Sequence, residues 1–195
     1  MKKIFFAPVL ISVLSLATYA RAQPAPTTAA PTAATAAAPA PVDKVTDPEI
    51  VAIIEAANKA EIDEAKYAQA HSKSKPVVDF AAMMILEHKQ VEKDLENFTK
   101  KSKMKPIASS GKDDVKKMGA ANLKDLKKVS GKELDRTYSN HQVAMHQGLL
   151  DKIDSTLLPN VQNTELKDIV TKVRSSVATH LDKAKALQST IGSPS

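Results

Sequence analysis

The sequence predicts an all-α fold, a four-helix bundle made of two antiparallel hairpins joined by a long basic crossover that contains a short helix. Three observations carry this. Four stretches between residues 47 and 191 repeat apolar residues at helical spacing, no run alternates as barrel strands would, and one connection, Lys101 to Val129, is far longer than bundle loops usually are.

Before the bundle come two segments of other character. Met1-Lys2-Lys3 is a short positive region, Ile4 to Ala17 is apolar but too short to span a bilayer comfortably, and Ala20-Arg21-Ala22 has the small residues of a cleavage site. Residues 1–22 therefore read as a Sec-type signal peptide cut after Ala22, which predicts an exported protein, most simply periplasmic. Residues 23–46 are rich in Ala, Pro and Thr and have almost nothing to bury, so they read as a disordered linker.

The first helix opens at Thr46-Asp47-Pro48-Glu49, a capping box, and carries Ile50, Ile54, Ala57, Glu61, Ala65 and Ala68 on one face to about His71. Ser74-Lys75-Pro76 restarts the chain. The second helix places Val77, Ala81, Met84, His88, Val91 and Leu95 together and runs to about Lys101. Ser130-Gly131-Lys132-Glu133 reads as a second capping box, opening a third helix with Val143, His146, Leu149, Leu150, Ile153 and Leu157 in its stripe, ended by Pro159-Asn160. After Asn163 the fourth helix aligns Leu166, Ile169, Val173, Val177, His180, Ala184 and Leu187, and Gly192 to Ser195 read as a frayed tail.

The connection contains an amphipathic run at Val115, Met118, Leu123 and Leu126. A 25-residue helix is roughly 37 Å long, so a link of this length can travel the whole bundle. Two hairpins with one long crossover is the ferritin-like plan; a simple up-down-up-down bundle with a decorated loop is the alternative.

Glu61, His88, His146 and His180 each fall near the middle of a different apolar stripe. Burying such groups without partners costs several kcal/mol, so four at similar depth point to a metal site or a closed hydrogen-bond network. As a metal site, one carboxylate and up to three imidazoles suit Zn, Fe, Mn or Cu and not Ca or Mg. As a network, the histidines would bond one another, Glu61 and Tyr138 or Gln142. Counting from the turns puts Glu61, His88 and His146 level and leaves His180 about 6 to 9 Å out of level. Glu64 and Glu92 are expected at the rim, and His71 and His141 on the surface. The Glu-x-x-His signature of di-iron bundles is missing, since Ile85 and Val177 stand three before His88 and His180.

From Lys100 to Lys132 the chain has eleven lysines and three aspartates. Such a segment suits weak contact with anionic envelope surfaces, but a solvated lysine-rich loop is the simpler and preferred reading, and it lacks the aromatic anchors of an interfacial helix. The net charge of +6 loses Lys2, Lys3 and Arg21 with the signal, too little for nucleic acid. With no Cys and five Gly, the chain has no thiol nucleophile or glycine-rich phosphate loop; it also has no G-x-S-x-G, so no catalytic residue is assigned. No membrane-length apolar run follows the signal. Two classes remain: a non-enzymatic periplasmic bundle in envelope stress or protein interaction, and a metal-binding bundle for storage, sensing or redox chemistry.

The motifs A-E-I-x-x-A-x-x-A at Ala60 to Ala68, V-x-x-F-A-x-x-M-x-x-x-H at Val77 to His88, Y-x-x-x-Q-V-x-x-H at Tyr138 to His146 and H-L at His180-Leu181 resemble an exported bacterial family, domain of unknown function 4142. The resemblance covers Asp47 to Leu187 and the signal peptide. It implies a ferritin-like fold and export, marks Glu61, His88, His146 and His180 as pattern positions, and supplies no activity. The outer-membrane label that goes with the family has no counterpart in the sequence, which lacks alternating strands.

Overall fold

The structure is a computed structural model and describes residues 44–192. The expected signal peptide, the expected linker as far as residue 43 and the last three residues lie outside the described residues. Helix α1 spans Asp47–His71, α2 Lys75–Ser102, α3 Ser110–Leu126 and α4 Gly131–Lys152; a π-helical turn, Ile153–Leu157, and the single turn α5, Leu158–Asn160, lead to α6, Thr164–Gly192. The fold is all-α, with no strand among the described residues.

Most helix starts follow from local chemistry. Glu49 reaches back to accept hydrogen bonds from the Thr46 backbone N–H at 2.8 Å and its hydroxyl at 2.7 Å, and Pro48 sits in the first turn, where a missing N–H costs nothing. Ser109 Oγ accepts from the Lys112 N–H at the head of α3, and Asn163 Oδ1 from the Leu166 N–H at the head of α6. The expected capping box at α4 does not form. Ser130 makes no side-chain cap, Glu133 turns instead to Arg136 at 3.2 Å, and the chain enters the helix through Gly131 at φ +56°, a left-handed conformation that other residues resist.

Helix α1 packs against α2, α3 and α4, while α4 packs mainly on α6 and α2 also meets α6. Two apolar clusters form along the long axis. One gathers Ile50, Ile53, Ile54, Leu95, Phe98, Ile153, Leu157, Leu166, Val170 and Val173; the other Ala65, Ala68, Val77, Phe80, Met84, Leu126, Tyr138, Ala184 and Leu187. At about 1.5 to 3 kcal/mol for each large side chain fully buried, these clusters are the main stabilising force. Between them on the helices lie the buried polar residues Asn58, Glu61, His88, Gln142, His146 and His180.

Helix α3 occupies most of the long connection and travels from one cluster to the other, with Val115 in the first and Leu126 in the second. It lies tightly on α1. A Cβ added at Gly119 would stand 2.5 Å from Ala60 Cβ, so only glycine permits this approach. Its packing face runs through Val115, Gly119 and Leu126, and Met118, expected in the apolar run, is exposed. Because α3 covers a further flank of α1, that helix is buried around most of its circumference, which a single stripe does not foretell.

Candidate metal centre

The three histidines come together although they lie on three helices. Ring centroids are 5.2 Å apart for His88 and His180, 5.3 Å for His146 and His180 and 6.1 Å for His88 and His146, and one nitrogen from each ring lies within 4.8 Å of the others'. All three side chains are buried. His180 is level with its partners, contrary to the depth count, because counting from a turn ignores axial stagger between helices.

Each imidazole is held from behind by a different group. His88 Nδ1 is 2.6 Å from Asn58 Oδ1, while Asn58 Nδ2 donates to the His88 carbonyl oxygen, also at 2.6 Å. Since the amide nitrogen faces a carbonyl, Oδ1 must be the acceptor and His88 carries its proton on Nδ1. His146 Nδ1 donates to the Gln142 carbonyl oxygen at 2.8 Å, one turn earlier. His180 Nε2 donates to Glu87 Oε2 at 2.6 Å. The remaining nitrogens, His88 Nε2, His146 Nε2 and His180 Nδ1, are buried and have no hydrogen-bond partner.

Protonation does not relieve this arrangement. Burial, then the neighbouring His180 and His146, hold His88 down at about 3. Burial likewise lowers His146 to about 4 against the opposing pull of the Gln142 carbonyl, with His180 pushing the same way as burial. Both rings are neutral at physiological pH, the form in which imidazole binds metals.

Glu61, the fourth expected residue, is buried beside the histidines but outside their nitrogen cluster. Its Oε2 accepts from Gln142 Nε2 at 2.8 Å, and its Oε1 lies 3.5 Å from His146 Nδ1, the nitrogen already bonded to the Gln142 carbonyl. Burial foremost, then the Glu64 carboxylate, push its pKa well above the usual carboxylate range, against the Gln142 hydrogen bond. The histidines do not hydrogen-bond one another and the Tyr138 hydroxyl has no hydrogen-bond partner, so the expected network is present in part: Glu61 with Gln142, and His146 with the Gln142 carbonyl and near Glu61.

Two other expectations need correction. Glu64 is fully buried rather than at the rim, and His141 is only 18% exposed, with Nδ1 3.5 Å from Glu64 Oε2. The crossover helix is the reason, since α3 packs on both α1 and α4 and closes that flank. His71 is exposed as expected, and Glu92, expected at the rim of the site, is exposed. Asn58 and Glu87 were not foreseen as supports. Asn58 precedes Glu61 by one turn on the same face, a readable signal, whereas Glu87 sits about 100° around α2 from His88 and looks like an ordinary surface acid.

A small cavity of about 20 Å³, room for one water, adjoins His88 and His180 under the apolar cover of Ile54, Ala57, Val91, Leu149, Val173 and Val177. Glu87 lines it and also the edge of a wider groove of about 510 Å³ between α2 and α6. That carboxylate stands where the polar centre meets solvent.

Fold and site define a helical bundle with a three-imidazole cluster at its centre. The model of the family described as domain of unknown function (DUF4142) matches residues 30–187, and the chain belongs to that family. No curated protein and no solved structure matches the chain.

Proposed function

We propose that this protein is an exported, periplasmic, ferritin-like bundle, two antiparallel hairpins joined by α3, that holds one transition-metal ion on His88, His146 and His180. The observation that supports this reading is the set of three buried ring nitrogens without a hydrogen-bond partner, each with its opposite nitrogen fixed by another group. A cation bound among them would give each of these nitrogens the partner it lacks. Outer partners of this kind orient metal-bound histidines. An all-imidazole set favours Zn or Cu over Mg or Ca.

Nitrogens on a tetrahedral zinc are about 3.3 Å apart, from Zn–N distances of roughly 2.0 to 2.1 Å, so ions would draw the rings inward from 4.8 Å. The water-sized cavity beside His88 and His180 would leave room near such an ion for a solvent molecule or a ligand of similar size. Glu61, in this reading, is an outer carboxylate and not a ligand. Storage and sensing need no further group. The basic surface of α3 serves at most weak contact with anionic envelope components.

Elemental analysis of untagged protein purified from the periplasm tests the reading. One equivalent of zinc or copper is expected in wild type and in Glu61→Gln, with loss in His88→Ala. Metal-free wild type that takes up no zinc or copper at micromolar concentrations would overturn it.

A further inference from the structure

On the other side of Glu61 lies a second buried polar compartment that the three histidines do not use. Helix α1 contributes Glu61 and Glu64, one turn apart, and α4 contributes Tyr138, His141 and Gln142. Glu64 is completely buried, and neither of its carboxylate oxygens has a hydrogen-bond partner. The Tyr138 hydroxyl is equally buried and unpartnered, and it is near enough to both carboxylates for their charges, after burial itself, to hold its proton on. Gln142 spends Nε2 on Glu61 and leaves Oε1 without a partner. His141 Nδ1, 3.5 Å from Glu64 Oε2, is also unpartnered.

Two carboxylates buried a turn apart cannot both carry charge without compensation. Among the described residues, neither forms an ion pair with a lysine or arginine; their nearest basic groups are imidazoles. One shared proton would neutralise one charge and satisfy one Glu64 oxygen, and would leave the other Glu64 oxygen, the phenol, the amide oxygen and the His141 nitrogen without a hydrogen-bond partner. A divalent cation answers all of these at once.

We infer that Glu61, Glu64, Gln142 Oε1 and His141 Nδ1 form a second, oxygen-rich cation site, with Tyr138 at its edge, that takes an ion of the Mn(II) class. Carboxylate and amide oxygens with one imidazole suit Mn(II) better than Cu(II). An imidazole among the donors argues against Mg(II) and Ca(II), which take oxygen ligands. The site stands apart from the three-histidine reading because its donors are different atoms, and the two meet only where Glu61 Oε1 lies 3.5 Å from His146 Nδ1.

Mn(II) titration of the full purified protein, with free ion followed by electron paramagnetic resonance, is the test, run on zinc-loaded and zinc-free samples. The expected result is one equivalent bound in both, weakened by at least about tenfold in Glu64→Gln and retained in His88→Ala. His141→Ala supplies a second variant should Glu64→Gln lose helix content by circular dichroism, and the same weakening is expected. Mn(II) binding that survives Glu64→Gln and His141→Ala but vanishes in His88→Ala places the ion on the imidazoles and overturns the proposal. So does the absence of Mn(II) binding at millimolar concentration. Zinc stoichiometry, read separately, reports on the three-histidine site alone.

Discussion

Asn58 and His88 grip each other through two hydrogen bonds of 2.6 Å, one to the ring and one to the backbone, and this pairing decides which nitrogen of His88 is free. Replacing Asn58 with Ala removes both. The His88 ring then loses its fixed tautomer and a buried carbonyl loses its donor, so a destabilisation of about 1 to 3 kcal/mol is expected from the unmet group. Denaturant melts in chelator measure this, and a change below half a kcal/mol would contradict the structural role given to Asn58.

Glu87 offers a cleaner separation of metal binding from folding. Its side chain is partly exposed and its bond is to the ring of His180, so Glu87→Ala should leave the metal-free stability within about 0.5 kcal/mol of wild type. Zinc affinity should fall by about 10 to 100-fold, as it does when the outer partner of a metal-bound histidine is lost. Competition with a chromophoric chelator reads the affinity directly. Equal zinc affinity in the variant would remove Glu87 from the account.

The acid limb of stability follows from the histidines. With folded values near 3 for His88 and near 4 for His146, against 6.5 when unfolded, the unfolded chain binds protons that the folded chain refuses. Their contribution is complete above about pH 6.5 and is lost as pH falls toward 4. Glu61 acts in the opposite sense, since its raised pKa makes its contribution full below about 4.5 and lost as pH rises through the folded value. Glu61→Gln removes that opposition and should steepen the metal-free acid limb toward two protons, about 2.7 kcal/mol per pH unit. Melts in chelator across this range check the slope, and an unchanged slope in the variant would deny Glu61 its proton.

Gly119 tests the seat of the crossover helix. Gly119→Val places methyl carbons where Ala60 already stands, with the Cβ alone 2.5 Å from Ala60 Cβ. Forcing α3 off α1 should cost about 1 to 3 kcal/mol, typical of overpacking. Double substitution with Ala60→Gly should recover part of that cost. If Gly119→Val were neutral, α3 would not be packed as the structure has it.

How far the residues announced this arrangement can be judged one by one. Helical spacing was enough to put His88, His146 and His180 inside, because each sits in an apolar stripe and no other helix contradicts the stripe. Glu64 and His141 went the other way, since their burial depends on where α3 lies, and no periodicity within α1 or α4 encodes the path of a different helix. Ser130 failed as a cap because Gly131 adopts a positive φ and Glu133 found Arg136, a local competition that the four-residue pattern cannot rank. The π-helical turn at Ile153–Leu157 carries no sequence mark of its own. Asn58 was legible in principle, whereas Glu87 acquires its role only when α6 brings His180 beside it.

The polar layer between the two apolar clusters has a further effect on how the molecule comes apart. Side chains in one cluster make few attractive contacts with those in the other except through that layer, so without an ion each cluster can melt on its own. An ion bonded to α2, α4 and α6 at once ties three helices across the seam and makes separate melting of either half cost those bonds. Amide hydrogens on both sides of the seam should then exchange as one cooperative block when metal is bound and as two when it is removed.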